Sequence, residues 1–268
     1  MKRLIVFLSM VILISSCNHN EIDNLKKKAE SGDAVSQYEL GGKYLKGKEV
    51  PLDIQEAGRW LKRSSDQKNA RGEYLYAAYL LKYYPCVHST LDAFMLLKDA
   101  SVQEIPEAQE MLAQMYMDGS VDMKNDEKAF ELFEKAANNG CAKSQYNTGY
   151  FYRNGIGVEK DLEKAFEYYL KSAKQGFVLA EHNLGLMYCF GEGDLKVDYQ
   201  KAMAWYQKAA NQGYADSQLN MGLMFYNGKG VEVNMERCAY WIGKAAGSGN
   251  NLAIKMWSDL NLGQYSKK

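Results

Sequence analysis

Proline, histidine and net charge are what this 268-residue sequence has least of: 3 prolines, 3 histidines, and 33 basic side chains against 33 acidic ones. The balanced charge and a pI near 6.8 give no global field favouring nucleic acid or anionic lipid, so no nucleic-acid partner is expected. No two of His19, His88 and His182 stand at metal-ligand spacing and no Cys-x-x-Cys occurs, so neither a metal site nor a cofactor is expected. The apolar run from Leu4 to Ile14 falls short of the about 20 residues a bilayer-spanning helix requires. Aromatic residues are plentiful, with 20 tyrosines against 9 phenylalanines. Such a composition suits helices packed through amphipathic rings.

The chain opens with Lys2 and Arg3, the apolar run, and the small residues Ser15 and Ser16 before Cys17. That order identifies residues 1–16 as a secretory signal peptide. The stretch Ile14-Ser15-Ser16-Cys17 resembles the bacterial lipobox, which implies that Cys17 is acylated and heads the mature chain; ordinary cleavage leaving an unmodified cysteine is the alternative. Residues 17–23 then form a short tether that keeps the fold near the membrane. Asn18 after the cysteine implies, under the proteobacterial sorting scheme, retention at the outer membrane. The expected location is the bacterial cell envelope, reached by export.

Internal repetition fixes the rest. Small residues recur at Gly41, Ala77, Ala113, Gly149, Gly185, Gly222 and Ser258, spaced by 36 residues except for one interval of 37. Four residues earlier stand Gln37, Glu73, Gln109, Gln145, Glu181 and Gln218, and three later Tyr44, Leu80, Tyr116, Tyr152, Tyr188 and Phe225. Residues three and four apart share a helix face, so each small residue marks where a neighbouring helix comes close. A second column runs Ala57, Ala93, Ala129, Ala165, Ala202 and Cys238, each followed by a bulky pair such as Trp60-Leu61 or Trp205-Tyr206. Four residues before it, Asp53, Ser89, Asn125, Asp161, Asp198 and Asn234 are N-cap candidates for a second helix. Turns such as Gly155-Ile156-Gly157-Val158 separate the two helices.

These columns resemble the Sel-one-like repeat, a close relative of the tetratricopeptide repeat, most clearly over Ala142 to Lys171 and Ser217 to Lys244. The resemblance implies an all-α fold: an α/α superhelical solenoid over residues 24–262, right-handed, of six helix pairs. Leu25 to Gly32 is expected to supply a half-unit at one end and Asn250 to Leu260 at the other, with 263–268 a polar tail. The second unit departs from the pattern. Its turn, Tyr83-Tyr84-Pro85-Cys86-Val87-His88, has no glycine pair, and Leu80 replaces the tyrosine.

Cysteine-rich relatives staple successive helices with two cysteines per repeat, but Cys86, Cys141, Cys189 and Cys238 lack that pairing, and most are expected to act as small buried hydrophobes. Some such relatives have been assigned penicillin binding or weak β-lactamase activity, which makes a cell-wall or β-lactam-interacting enzyme the alternative reading. Ser65-Asp66-Gln67-Lys68 matches a Ser-x-x-Lys spacing. It falls at a helix end and neither Ser-Asp-Asn nor Lys-Thr-Gly accompanies it, so no enzymatic activity is expected.

Function is expected in binding. In tetratricopeptide-like stacks the first helix of each pair lines the concave surface, where Asn147, Asn183 and Asn220 stand two residues before the small column. The matching asparagine of peptide-binding relatives hydrogen-bonds a ligand, a task that suits an amide because it both donates and accepts, and a groove asparagine is expected to face solvent when the partner is absent; the alternative is that the three asparagines stabilise packing between repeats. Tyr146 and His182, one residue earlier, and Tyr150, Leu186 and Leu223, one residue after the small column, complete an amphipathic groove for a protein or peptide partner. The first units carry Glu39, Leu75 and Met111 at the asparagine position. The expected role is a membrane-anchored interaction scaffold.

Overall fold

The computed structural model describes residues 20–265 apart from Met123. The signal peptide and Cys17 lie outside the described residues, as do 266–268. All regular structure among the described residues is helical, and no helix there is long and apolar enough to cross a membrane.

The chain divides into two compact units, Met1–Leu132 and Phe133–Lys268, the division falling inside α7. The first unit contains α1 (residues 20–30), α2 (Ala34–Lys46), α3 (Ile54–Asp66), α4 (Ala70–Tyr83), α5 (Val87–Val102), α6 (Pro106–Asp118) and the start of α7 (Asp126–Asn138). The second contains the rest of α7, then α8 (Ala142–Asn154), α9 (Leu162–Lys174), α10 (Val178–Phe190), α11 (Tyr199–Asn211), α12 (Ala215–Asn227), α13 (Met235–Gly247) and α14 (Asn251–Asp259). Helix pairs thus follow the 36-residue period, with α1 and α14 unpaired at the ends.

Capping explains the boundaries. Asp53, Asp161, Asp198 and Asn234 each accept a backbone amide hydrogen bond at the start of a second helix, and Asn125 does so for α7 at 2.8 Å. Gly47, Gly119, Gly155, Gly191 and Gly228 close first helices in the left-handed conformation. The second unit of the repeat differs from its expected boundary. Without a glycine turn, α5 starts early, Cys86 takes the N-cap position, and Ser89 sits inside the first turn, accepting from the Cys86 amide at 3.2 Å. At the other two ends the chain is more ordered than a tether and a tail: residues 20–23 are helical with Ile22 buried, and Leu262–Tyr265 forms a 3-10 turn whose Leu262 is fully buried.

Two ladders join successive pairs. In the first, the column glutamine donates back to the preceding second helix: Gln37 to Ala29 O at 3.0 Å, Gln145 to Ala137 O and Gln218 to Ala210 O at 3.1 Å. It then accepts from the next C-cap, as Gln37 does from Gln67 at 2.7 Å and Gln145 from Gln175 at 2.9 Å. Where the column holds Glu73 or Glu181, an ionised carboxylate has no hydrogen to donate, and burial raises the pKa of each. The second ladder is aromatic. Phe94 meets Tyr116 edge-on at 5.3 Å and Phe166 meets Tyr188 at 5.7 Å, each a ring on one second helix against a ring on the next first helix.

Candidate partner-binding face

The small column sets the depth of the face formed by α8, α10 and α12. A Cβ at Gly149 would lie 2.9 Å from the Tyr169 ring, and one at Gly185 2.5 Å from the Tyr206 ring. Glycine there lets the first helices settle onto two fully buried tyrosines. Those rings become the floor on which the first-helix side chains stand.

The three asparagines have different surroundings. Asn183 is 9% exposed and its amide is engaged, donating to Leu179 O at 2.8 Å and accepting from Arg153 Nη1 at 3.0 Å. Arg153 is itself fixed by Glu192, with Nε to Oε2 at 2.8 Å and Nη2 to Oε1 at 2.5 Å, and this pairing holds the guanidinium pKa above its usual value. The buried Tyr169 hydroxyl lies beside Arg153. Asn147 keeps a buried Nδ2 without a partner among the described residues. Asn220 lines a cavity of about 170 Å³ together with Leu186, Phe190, Leu223 and Asn227, with Tyr206 also in its wall.

The expected groove is therefore partly redistributed. Leu186, Leu223 and Asn220 come together in one cavity, and Tyr150 is 41% exposed on α8. Asn183 corrects the expectation that a groove asparagine faces solvent: it is held under Arg153 as part of the wall. Tyr146 and His182 pack between repeats. Tyr146 lies 5.3 Å from the Phe177 ring, and His182 stands edge-on to Tyr214 at 4.9 Å with Nδ1 2.8 Å from Ser217 Oγ. Burial holds the His182 pKa down to about 4, so the ring is neutral. Arg153, Glu192 and Phe190 were not singled out by the columns. The signal for Glu192 was available in the 37-residue interval, whose longer turn begins at Gly191 and carries it back to α8.

The serine–lysine spacing has no catalytic geometry. Ser65 is 4% exposed, and the Lys68 ammonium is held by Asp99 at 2.9 Å and lies 3.5 Å from Glu73. Of the cysteines among the described residues only Cys238 is buried; Cys86 is an exposed thiol, Cys189 is half-buried beside the core, and Cys141 stands at the start of α8. Position explains the difference, because only Cys238 occupies a small-residue column.

Comparison with known proteins assigns the repeats. The Sel1 repeat model matches residues 34–69, 106–141, 142–177, 178–214 and 215–250, and passes over 70–105, where the glycine turn is missing. The chain is similar to a solved structure of c5321, a protective antigen present in uropathogenic Escherichia coli strains displaying an SLR fold. The two are 31% identical with a TM-score of 0.83, over 92% of this chain and 53% of that one. A Sel1 repeat protein from Oxalobacter formigenes is also 31% identical, with a TM-score of 0.73 over 88% of this chain and 68% of that one. Among curated proteins, the secretory immunoglobulin A-binding protein EsiB of Escherichia coli is 35% identical over 54 residues, 20% of this chain and 11% of EsiB. The chain thus spans about half of c5321, at 53%, and matches a small part of EsiB.

Proposed function

Because the chain belongs to the Sel1 repeat family, an α/α solenoid family whose members are generally protein-interaction scaffolds, we propose that it holds a protein or peptide partner on the face of α8, α10 and α12. The observation that carries this reading is the cavity at Asn220. There the Asn220 amide, capable of both donating and accepting, stands with Asn227 among Leu186, Phe190 and Leu223, and Phe190 presents exposed aromatic surface there as Tyr150 does on α8. Asn183 acts one step back, orienting Arg153, while Tyr146 and His182 fix the spacing of the helices.

The site of action in this proposal is the cell envelope, with Cys17 acylated after removal of residues 1–16. The likeness to a protective antigen of uropathogenic Escherichia coli supports exposure at a cell surface. The test of the binding reading is a peptide-display selection against the full chain, followed by affinity measurement with Leu223→Ala and Tyr150→Ala. Both variants are expected to weaken the selected peptide, Tyr150→Ala without lowering the melting temperature and Leu223→Ala with some loss of stability, because Leu223 also packs on the core. Unchanged affinity for both would remove this face from consideration.

A further inference from the structure

The junction between the first two helix pairs lacks the ring pair found at two later ones. At Phe94/Tyr116 and Phe166/Tyr188 a ring on the second helix meets a ring on the next first helix, and a cation also covers that tyrosine, Lys128 over Tyr116 at 5.5 Å and Lys201 over Tyr188 at 5.3 Å. The equivalent residues at the first junction are Gly58, Leu80 and Asp92. Both rings and the cation are gone. Tyr79 takes the room that a ring at position 58 would fill, and beside it an open pocket of about 330 Å³ has Gly58 and Leu80 in its wall.

The pocket is built rather than collapsed. Tyr79 turns its hydroxyl toward the Gly58 backbone, where a Cβ would lie only 2.3 Å from it. Its ring stacks on Tyr76 at 5.9 Å and tilts against Tyr84 at 5.5 Å. Gln55 Nε2 donates to the Tyr84 hydroxyl at 3.2 Å, which ties the far wall back to α3. The charged residues of the rim are Arg59 and Lys62, both basic. Each is paired with an acid on its own helix surface, Arg59 with Glu56 and Lys62 with Asp66, the latter at 2.8 Å. Exposed pairs of that kind are worth about 1 kcal/mol or less, so an incoming carboxylate can compete for them.

We propose that this pocket is a second docking site, independent of the α8–α10–α12 face, and that it takes an aromatic side chain of a partner protein with an acidic residue next to it. The tyrosine wall of Tyr76, Tyr79 and Tyr84 and the ring missing at Leu80 define the shape of the occupant, since the tyrosines offer the edges and faces that an aromatic ring packs against. Arg59 and Lys62, the charged residues that line the pocket, define the charge beside it, while Asp92 stands near Tyr76 outside the lining. The family model passes over the unit that supplies Tyr76, Tyr79, Leu80 and Tyr84, consistent with a repeat that has exchanged its sealing residues for a binding surface.

The probe is acetyl-Gly-Phe-Asp-Gly-amide, titrated into the full chain with the tyrosine side-chain resonances as readout, beside the same peptide with Ala for Phe or Lys for Asp. The Phe-Asp peptide is expected to shift Tyr76, Tyr79 and Tyr84 and to bind about tenfold more tightly than either control. The triple variant Gly58→Phe, Tyr79→Met, Leu80→Tyr copies the closed junction of Phe94, Met115 and Tyr116. It should melt no lower than the wild type and lose the peptide. If it does not fold, Arg59→Glu with Lys62→Glu, both on exposed surface, takes its place and should reverse the preference toward Phe-Lys. Equal binding of the three peptides, no binding at millimolar concentration, or full retention by the folded triple variant or the charge-reversed one overturns the proposal.

Discussion

Replacing Gly185 by alanine adds one carbon in the middle of α10, and its effect follows from what that carbon would meet. The new Cβ would lie 2.5 Å from both Cδ1 and Cε1 of Tyr206, about 1 Å inside ordinary carbon contact. The Tyr206 ring is 2% exposed and lies 5.7 Å from the His182 ring, so it has little room to turn aside. Overpacking of this kind costs about 1–3 kcal/mol, while replacing a mid-helix glycine returns up to about 1 kcal/mol of helix propensity. The expected net loss is about 1–2 kcal/mol, or roughly 2–8 °C in Tm for a chain of this size. Gly42→Ala in α2 is the control, because nothing lies within 4 Å of its added Cβ; it should raise Tm. The facing residue varies along the column: Ala77 stands opposite Leu97 and Ala113 opposite Phe133, while a Cβ at Gly41 would still lie 2.7 Å from Leu61 Cγ. Removing the Tyr206 ring removes the atoms that the new Cβ meets, so in a Tyr206→Leu background Gly185→Ala should cost less than in the wild type, a coupling of about 1 kcal/mol or more in the double-mutant cycle. Thermal melts, with hydrogen exchange of α10 and α11 to localise the change, measure it. Additive effects, or a stabilising Gly185→Ala in the wild type, would refute the packing assigned to this column.

Three further outcomes are expected. Glu181→Gln gains the donor that Gln145 and Gln218 use, and should stabilise by about 0.5–1.5 kcal/mol at neutral pH. Because burial raises the Glu181 pKa above 4.5, the wild-type carboxyl contributes most below that value and loses its contribution as pH rises through the raised pKa; urea melts should show the variant's advantage shrinking toward pH 4.5. The His182 pKa falls from 6.5 to about 4 through burial, so stability present above 6.5 should decline as pH drops toward 4. The full shift is worth on the order of 3 kcal/mol, and His182→Tyr, which copies Tyr146, should flatten that part of the stability profile. Cys17→Ser should abolish partition of the chain into detergent; a variant that still partitions as the wild type does would end the lipid-anchor proposal.

The solenoid was legible in the sequence because its determinants are local and repeated. Asp161, Ala165 and Tyr169 fix a helix start, a close approach and a buried ring within one turn of each other, and the same spacing recurs along the chain. The second unit was legible as a departure, but not in its consequences: that α5 begins at Val87 and that Tyr79 fills the room left by Gly58 depend on residues in different helices. The face of α8, α10 and α12 was half legible. Periodicity placed Asn147, Asn183 and Asn220 in one column, yet their surroundings are set by a long-range partner. Arg153 reaches Asn183 and Glu192 across 30 and 39 residues, and no column contains that information. Tyr146 and His182 share a helix face with the groove residues but point to the next repeat, a direction that sequence spacing alone does not give.

The central claim is that Asn220 and its apolar neighbours contact a partner, whereas Asn183 holds the wall. Measuring Tm and the affinity of a display-selected peptide for Asn220→Ala and Asn183→Ala on the same preparations tests it most directly. Removing the Asn220 amide should cost about 1–3 kcal/mol of binding, a fivefold to hundredfold rise in Kd, and should lower Tm less than Asn183→Ala does, because the amide also reaches the Tyr206 hydroxyl. Asn183→Ala should lower Tm, because it strips Arg153 of a buried partner. An Asn220→Ala chain that melts lower while binding the peptide as the wild type does would contradict the account and assign the column to structure alone.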